Sequence, residues 1–264
     1  MKAHNIKHGT LKLGTLHEYR ETEIEHIADR HEGYLRFSLN FDGVVKLPSR
    51  WFNTLAAGAV QFGGGAAMFF PGHTDAHFDH LYLVESDEET VTLKDSKAVI
   101  ERKSLNGFVY CMSLVRKSRD CIGIFPEYDD AWFLPESRAL NFGVLLGGML
   151  HNAIIAGRAS GRHLVPEHLN LESLSVNLEA GPVEYQEREI HVINSNTFKL
   201  EEFQSRMARI AFTKPPIPFA KEKEYRFNYT IVSENRIIEP LVKFAILDAS
   251  PLQKLILHID TRNS

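Results

Sequence analysis

From Glu222 to Ile231 the chain alternates so regularly that the segment can be little other than a β-strand. One face would carry Glu222, Glu224, Arg226, Asn228 and Thr230, and the other Lys223, Tyr225, Phe227, Tyr229 and Ile231. The second face, Lys223 apart, suits a hydrophobic core. The first gathers two carboxylates and a guanidinium, with same-face neighbours roughly 7 Å apart along a strand. Glu224 can therefore pair with Arg226, and Glu222 can feel the same charge. Such a face is either a solvated surface that balances its charges or the polar floor of a cleft where one carboxylate acts on a ligand.

Other strand signals surround it. LKLGTL at 11–16 and YLRFSLNF at 34–41 alternate, and GVVKL at 43–47 can return across the hairpin-type dipeptide Asp42-Gly43. AAMFF, HLYLVE, TVTL, KAVIER and FVYCMSLV follow as short strands, and PLVKFAIL and LQKLILHI close the chain. Helical spacing is expected over 137–156 and 199–213, the second stopped by PPIP at 215–218, and Pro48-Ser49 opens a short helix. The charged stretch between the first two strands reads as a loop with one helical turn. Strands and helices do not alternate regularly, so the expected fold is α+β: one domain over 1–264, mostly antiparallel strands and a few helices.

A formal net charge of −4 gives no general attraction to nucleic acid or to an anionic membrane. Cys111 and Cys121 lack the spacing of a sulfur-rich zinc site. The N-terminus has no signal-peptide core, and the apolar run at 142–157 is short for a bilayer. These features predict a soluble cytoplasmic protein with no membrane partner.

HTDAHFDH at 73–80 gathers three histidines and two aspartates, residues with metal-ligand chemistry; the paired carboxylates of PEYDDAWF at 126–133 read more simply as a capped turn. If extended, the 73–80 segment aims His73, Asp75, His77 and Asp79 the same way, a donor set suited to zinc, manganese or iron. It is faintly similar to the metallo-β-lactamase signature, with Asp75 where that family has its first histidine. The commoner reading is a polar segment at a surface edge, so no firm metal is assigned. The triple glycine of FGGGAAMFF lacks the Gly-Lys-Ser/Thr of a phosphate loop and reads as a tight turn or bulge.

Three separated pieces carry a resemblance: GTLHEYRETE with the following Asp29 and Glu32-Gly33, then FVYCMSLV, then KEKEYRF. They resemble a bacterial and phage family of unknown function that pairs an early Tyr-Arg with a late Glu-x-Glu-Tyr-Arg strand. The order of arginine, serine on a central strand and Glu-x-Glu on a late strand is also similar to the ADP-ribosyltransferases. That resemblance implies NAD as substrate, Glu224 as catalytic carboxylate, Glu222 engaging the acceptor, Ser113 bracing the site, and Arg20 holding phosphate or ribose. Tyr19 and Arg226 would help hold the nucleotide, and Tyr110, Tyr128 or Trp132 would stack on nicotinamide. The implied activity is ADP-ribosyl transfer or NAD hydrolysis in a phage–host conflict, with a protein or nucleic-acid acceptor left open. Two alternatives stand beside it: a non-enzymatic module binding a nucleotide or protein, and a metal-dependent hydrolase built on residues 73–80.

Overall fold

The computed structural model describes residues 4–21, 31–57, 59–117, 120, 124, 131–197 and 199–258. Asp29, Cys121 and Tyr128 lie outside the described residues. In chain order the longer elements begin with β1 (Thr10–Thr15), α1 (Leu16–Glu21), β2 (Tyr34–Pro48) and α2 (Ser49–Leu55). Next come β3 (His73–His80), β4 (Leu83–Ser86), β5 (Thr90–Lys103), β6 (Phe108–Ser113) and α3 (Glu136–Ala159). Last are β7 (Ser175–Pro182), β8 (Glu189–Val192), α4 (Leu200–Ala208), β9 (Glu224–Ser233), β10 (Arg236–Ile238) and β11 (Phe244–Asp248). The fold is α+β with mostly antiparallel strands, as the irregular order of elements predicts.

The chain divides into two compact units, each threaded more than once: residues 1–32, 106–183 and 218–264 in the first, and 33–105 and 184–217 in the second. In the first unit a six-stranded sheet has β9 at its centre, paired with β7 along one edge and with β6 and β10 along the other; β6 continues to β1 and β11. The apolar face of β9 behaves as its alternation predicts. Phe227, Tyr229 and Ile231 are buried against Phe142, Leu146, Leu150 and Ile154 of α3. Close approach of helix to sheet depends on Gly143 and Gly147. A Cβ on Gly143 would stand 2.8 Å from both Phe227 Cδ1 and Leu178 Cδ2, so only glycine fits. The Tyr229 hydroxyl donates to the Gly143 carbonyl (2.9 Å), which satisfies a buried polar atom at the same spot.

Helix α3 is longer than the 137–156 expected, and its 24 residues make it long and apolar enough to cross a membrane by composition. One face is nevertheless committed to the core of this unit.

In the second unit β2 and β5 pair over nearly their whole lengths, with β8 parallel to β2 and with β3 and β4 along β5. Asp42-Gly43 is not the expected hairpin. It is a bulge inside β2, because the segments on both sides pair with the same strand β5. Gly43 takes φ +70 and donates its N–H to Asp95 Oδ1 (2.8 Å). For the same reason TVTL and KAVIER are two halves of one strand. Inward residues of both strands form a core with Trp51 and Phe52 of α2 and with Phe203 and Met207 of α4, the Trp51 and Phe203 rings 4.8 Å apart. Helix α4 stops at Ala208, well before the prolines, and a short 3-10 turn at Ile210–Phe212 follows. AAMFF forms no strand. Its loop is held to α2 by Asn53, whose amide donates to the Phe62 carbonyl (2.9 Å) and accepts from the Phe62 N–H (2.9 Å). Gly65 lies where a Cβ would meet the Arg50 backbone nitrogen at 2.6 Å, so the glycine run serves close packing.

Candidate functional site

The polar face of β9 is buried, which excludes the solvated-surface reading: Glu224 is 5% exposed and Arg226 is 1% exposed. Cross-strand pairing sets what surrounds them. Ser113 of β6 lies opposite Glu224 and Cys111 opposite Arg226, so all four side chains share one side of the sheet. Gly14 of β1 pairs with Val109 on that same side, and its missing Cβ opens room for an aromatic ring. A Cβ there would stand 3.3 Å from Tyr19 Cε2.

Tyr19 and Arg20 reach this place because α1 starts directly from the end of β1. Thr15 accepts from the Glu18 N–H (3.3 Å) and Asn106 accepts from the His17 N–H (3.2 Å), so the first turn has caps for two orphan donors. The Arg20 Nε donates to the backbone carbonyl of Glu32. The Glu32 carboxylate, 2% exposed, accepts from Arg226 Nη1 at 2.6 Å, and Arg226 Nε donates to Glu224. Arg20, Glu32, Arg226 and Glu224 therefore form one connected chain of contacts. The early Tyr-Arg and the late Glu-x-Glu-Tyr-Arg meet, joined through Glu32.

Charge in this cluster is strongly biased. Burial works against the Arg226 guanidinium, yet Glu224 and Glu32 outweigh it and hold the group above the usual arginine value. The Tyr19 hydroxyl is pushed well above the usual tyrosine value by burial, then by Cys111 and Glu224, with Arg226 opposing. At neutral pH the cluster presents a fixed cation and a neutral phenol. A carboxylate held by an arginine in a dry interior can stabilise positive charge, but only if the arginine gives it up.

Glu222 departs from the expected geometry. It sits in the 3-10 turn Ala220–Glu222 before the strand, and Lys223 with φ +48 breaks the alternation between it and Glu224. It is buried all the same. Tyr110 falls on the opposite side of the sheet, its ring 5.8 Å from Phe142 in the core, so it does not join Glu224. Trp132 packs near the same phenylalanine.

The histidine-rich stretch is strand β3, paired on one side with β5. Ala76 and Phe78 turn inward, while His73, Asp75 and His77 are exposed on the other face. A bulge after Phe78 interrupts the period before Asp79, whose carboxylate lies 3.3 Å from His77 Nε2 with both side chains more than half exposed. Among the described residues no three histidine, cysteine or acidic side chains converge to hold a metal ion. Polar, charged side chains on an outer strand discourage edge-to-edge pairing, which accounts for the composition without a ligand.

Sequence reasoning missed two residues. Glu32 stood within the motif as an acid but without a role; its acidic character was the only local signal. Arg102 of β5 passed unnoticed inside KAVIER. It is fully buried in the second unit at an inward register position, where Thr74 faces it across the strands. Its Nη1 and Nη2 groups donate to the Thr74 hydroxyl, the Pro71 carbonyl (2.8 Å), the Phe70 carbonyl (3.4 Å) and the Met207 carbonyl (3.5 Å). The Phe70 ring lies 5.2 Å from its guanidinium carbon.

Compared with protein-family models, with curated proteins and with solved structures, the chain finds no match, so its function has to be argued from this geometry.

Proposed function

We propose that the cluster of Tyr19, Arg20, Glu32, Ser113, Glu224 and Arg226 is a nucleotide site of the ADP-ribosyltransferase type, acting on NAD. The observation that carries this reading is the junction at Glu32, which brings the early arginine to the late carboxylate strand with a serine directly opposite Glu224. In the reaction the bond between nicotinamide and ribose breaks and its electron pair leaves with the nicotinamide ring. Positive charge then develops on the sugar, and a fixed carboxylate stabilises it as in glycoside cleavage. Glu224 takes that role. Water or an acceptor nucleophile forms the new bond to the sugar carbon and gives up its proton. An arginine clasps pyrophosphate with paired hydrogen bonds, the work given to Arg20. Arg226 pairs with Glu224 until substrate enters. Glu222, buried one turn upstream, stands for the acceptor side.

A second reading has a specific observation in its favour. Glu224 is already bound by Arg226 and nearly buried, which suits a module that binds a nucleotide or protein without turnover. Nicotinamide release from NAD separates the two. The enzymatic reading expects release by the wild type and its loss in Glu224→Gln. A binding module gives an NAD-dependent rise in melting temperature with no release. Neither release nor a rise in melting temperature removes the NAD reading.

A further inference from the structure

Helix α3 has two apolar faces. Phe142, Leu146, Leu150 and Ile154 face the core, while Leu140 (69% exposed), Val144 (59%), Leu145 (37%) and Ile155 (41%) face outward. No acidic or basic residue other than His151 lies between Arg138 and Arg158. A surface helix ordinarily turns a charged face to water. These four side chains leave roughly 350 Å² of apolar surface per copy, about half of the ~800 Å² per partner of a stable interface. The exposed Asn141, Gly148, Asn152, Ala156 and Ala159 extend the strip along the helix. Bilayer insertion does not fit it, because the opposite face is spent on the sheet.

The central line of the outward strip runs Ser137, Asn141, Val144, Gly148, Asn152, Ile155 and Ala159, the 3- and 4-residue spacing of a helical stripe, so an antiparallel partner centred on Gly148 stays in register along it. A Cβ on Gly148 would meet nothing within 4 Å, which leaves the centre open for a second helix to come close. Size is distributed unequally about that centre. The N-terminal half carries Leu140, Val144 and Leu145, and the C-terminal half carries Asn152, Ala156 and Ala159 with Ile155 alone being large. Antiparallel pairing sets each large half against a small one. A parallel pair would crowd the large residues together and leave a gap beside the alanines. The exposed Glu136 at the start and Arg162 just past the end carry opposite charges, which also meet only in the antiparallel arrangement.

We propose that a second copy of this chain covers the outer face of α3, giving a twofold dimer whose helices run antiparallel and cross at Gly148. This is a C2, self-complementary contact, and it is independent of the nucleotide reading. The test is sedimentation of the purified full chain, with cysteine cross-linking in a Cys111→Ser, Cys121→Ser background. A dimer is expected, and Val144→Glu is expected to raise its dissociation constant about tenfold or more without lowering the melting temperature. Gly148→Cys should cross-link to itself, and Ser137→Cys should cross-link with Ala159→Cys rather than with its own copy. A monomer, a dimer indifferent to Val144→Glu, self-cross-linking of Ser137→Cys, or co-sedimentation of the wild type with lipid vesicles would each overturn the proposal. Leu140→Glu repeats the test should Val144→Glu fail to fold.

Discussion

Among the described residues each unit buries one arginine, and the two are held in different ways. Arg226 in the first unit is held by two carboxylates, Glu32 and Glu224. Arg102 in the second is held by three backbone carbonyls, a hydroxyl and an aromatic ring, and burial pulls it below the usual arginine value. The first arrangement stores opposite charges in a buried interior, where removing one partner takes a charge pair from the others. The second ties together loop 70–71, strand β3 and helix α4 without an opposite charge. Under the proposed function the first is a set of charges that a ligand exchanges for its own; the second is a clamp.

The contrast predicts unequal mutational costs. Arg226→Met removes the guanidinium that two buried carboxylates share and should cost about 3–5 kcal/mol, against about 1–3 kcal/mol for Arg102→Met, which breaks no charge pair. Denaturant unfolding gives the totals, and hydrogen exchange assigns each loss to β6 and β9 or to β5. Equal costs in the two units would erase the distinction.

Packing in the first unit gives a smaller effect. Gly143→Ala places a methyl within 2.8 Å of Phe227 and Leu178 and should cost about 1–3 kcal/mol by overpacking, a loss visible in the melting temperature. Gly148→Ala on the same helix meets nothing within 4 Å and should leave the monomer unchanged or slightly more stable.

Alkaline pH sharpens the comparison further. Tyr19, Tyr110 and Tyr229 lie in the first unit and Tyr34 alone in the second, and burial is the largest cause raising each of these phenols above the usual value near 10. A raised acid pKa means that the folded state favours the neutral form. This contribution is complete below about pH 10, and it is lost as pH climbs from there toward the folded values. Ultraviolet titration should show three tyrosines that ionise only with unfolding, and hydrogen exchange above pH 10 should open the first unit more. Ionisation of all eight tyrosines near pH 10 in the folded protein would contradict this.

Much of the strand and helix content was legible. The alternation of 224–231 placed β9 and its apolar face correctly, and the apolar run near 142–157 placed α3. Long-range partners were not legible. Period-two alternation shows that Glu224 and Arg226 share a face, but covering that face takes residues from the other end of the chain, so a buried site looked the same as a solvated one. Asp42-Gly43 misled for a similar reason: its dipeptide suits a hairpin, and only the single long strand opposite makes it a bulge. Lys223 adopted a left-handed backbone that no local signal announced, and Glu222 left the ladder with it.

The central claim is physical: the first thirty-odd residues and the late strand meet through a charge pair. A double-mutant cycle on Glu32→Gln and Arg226→Met measures that pair directly. The account predicts a coupling of about 1.5 kcal/mol or more, since a buried, hydrogen-bonded charge pair is among the strongest such contacts. Additive losses, with no coupling beyond about 0.5 kcal/mol, would mean that Glu32 and Arg226 do not touch in solution and would contradict the site.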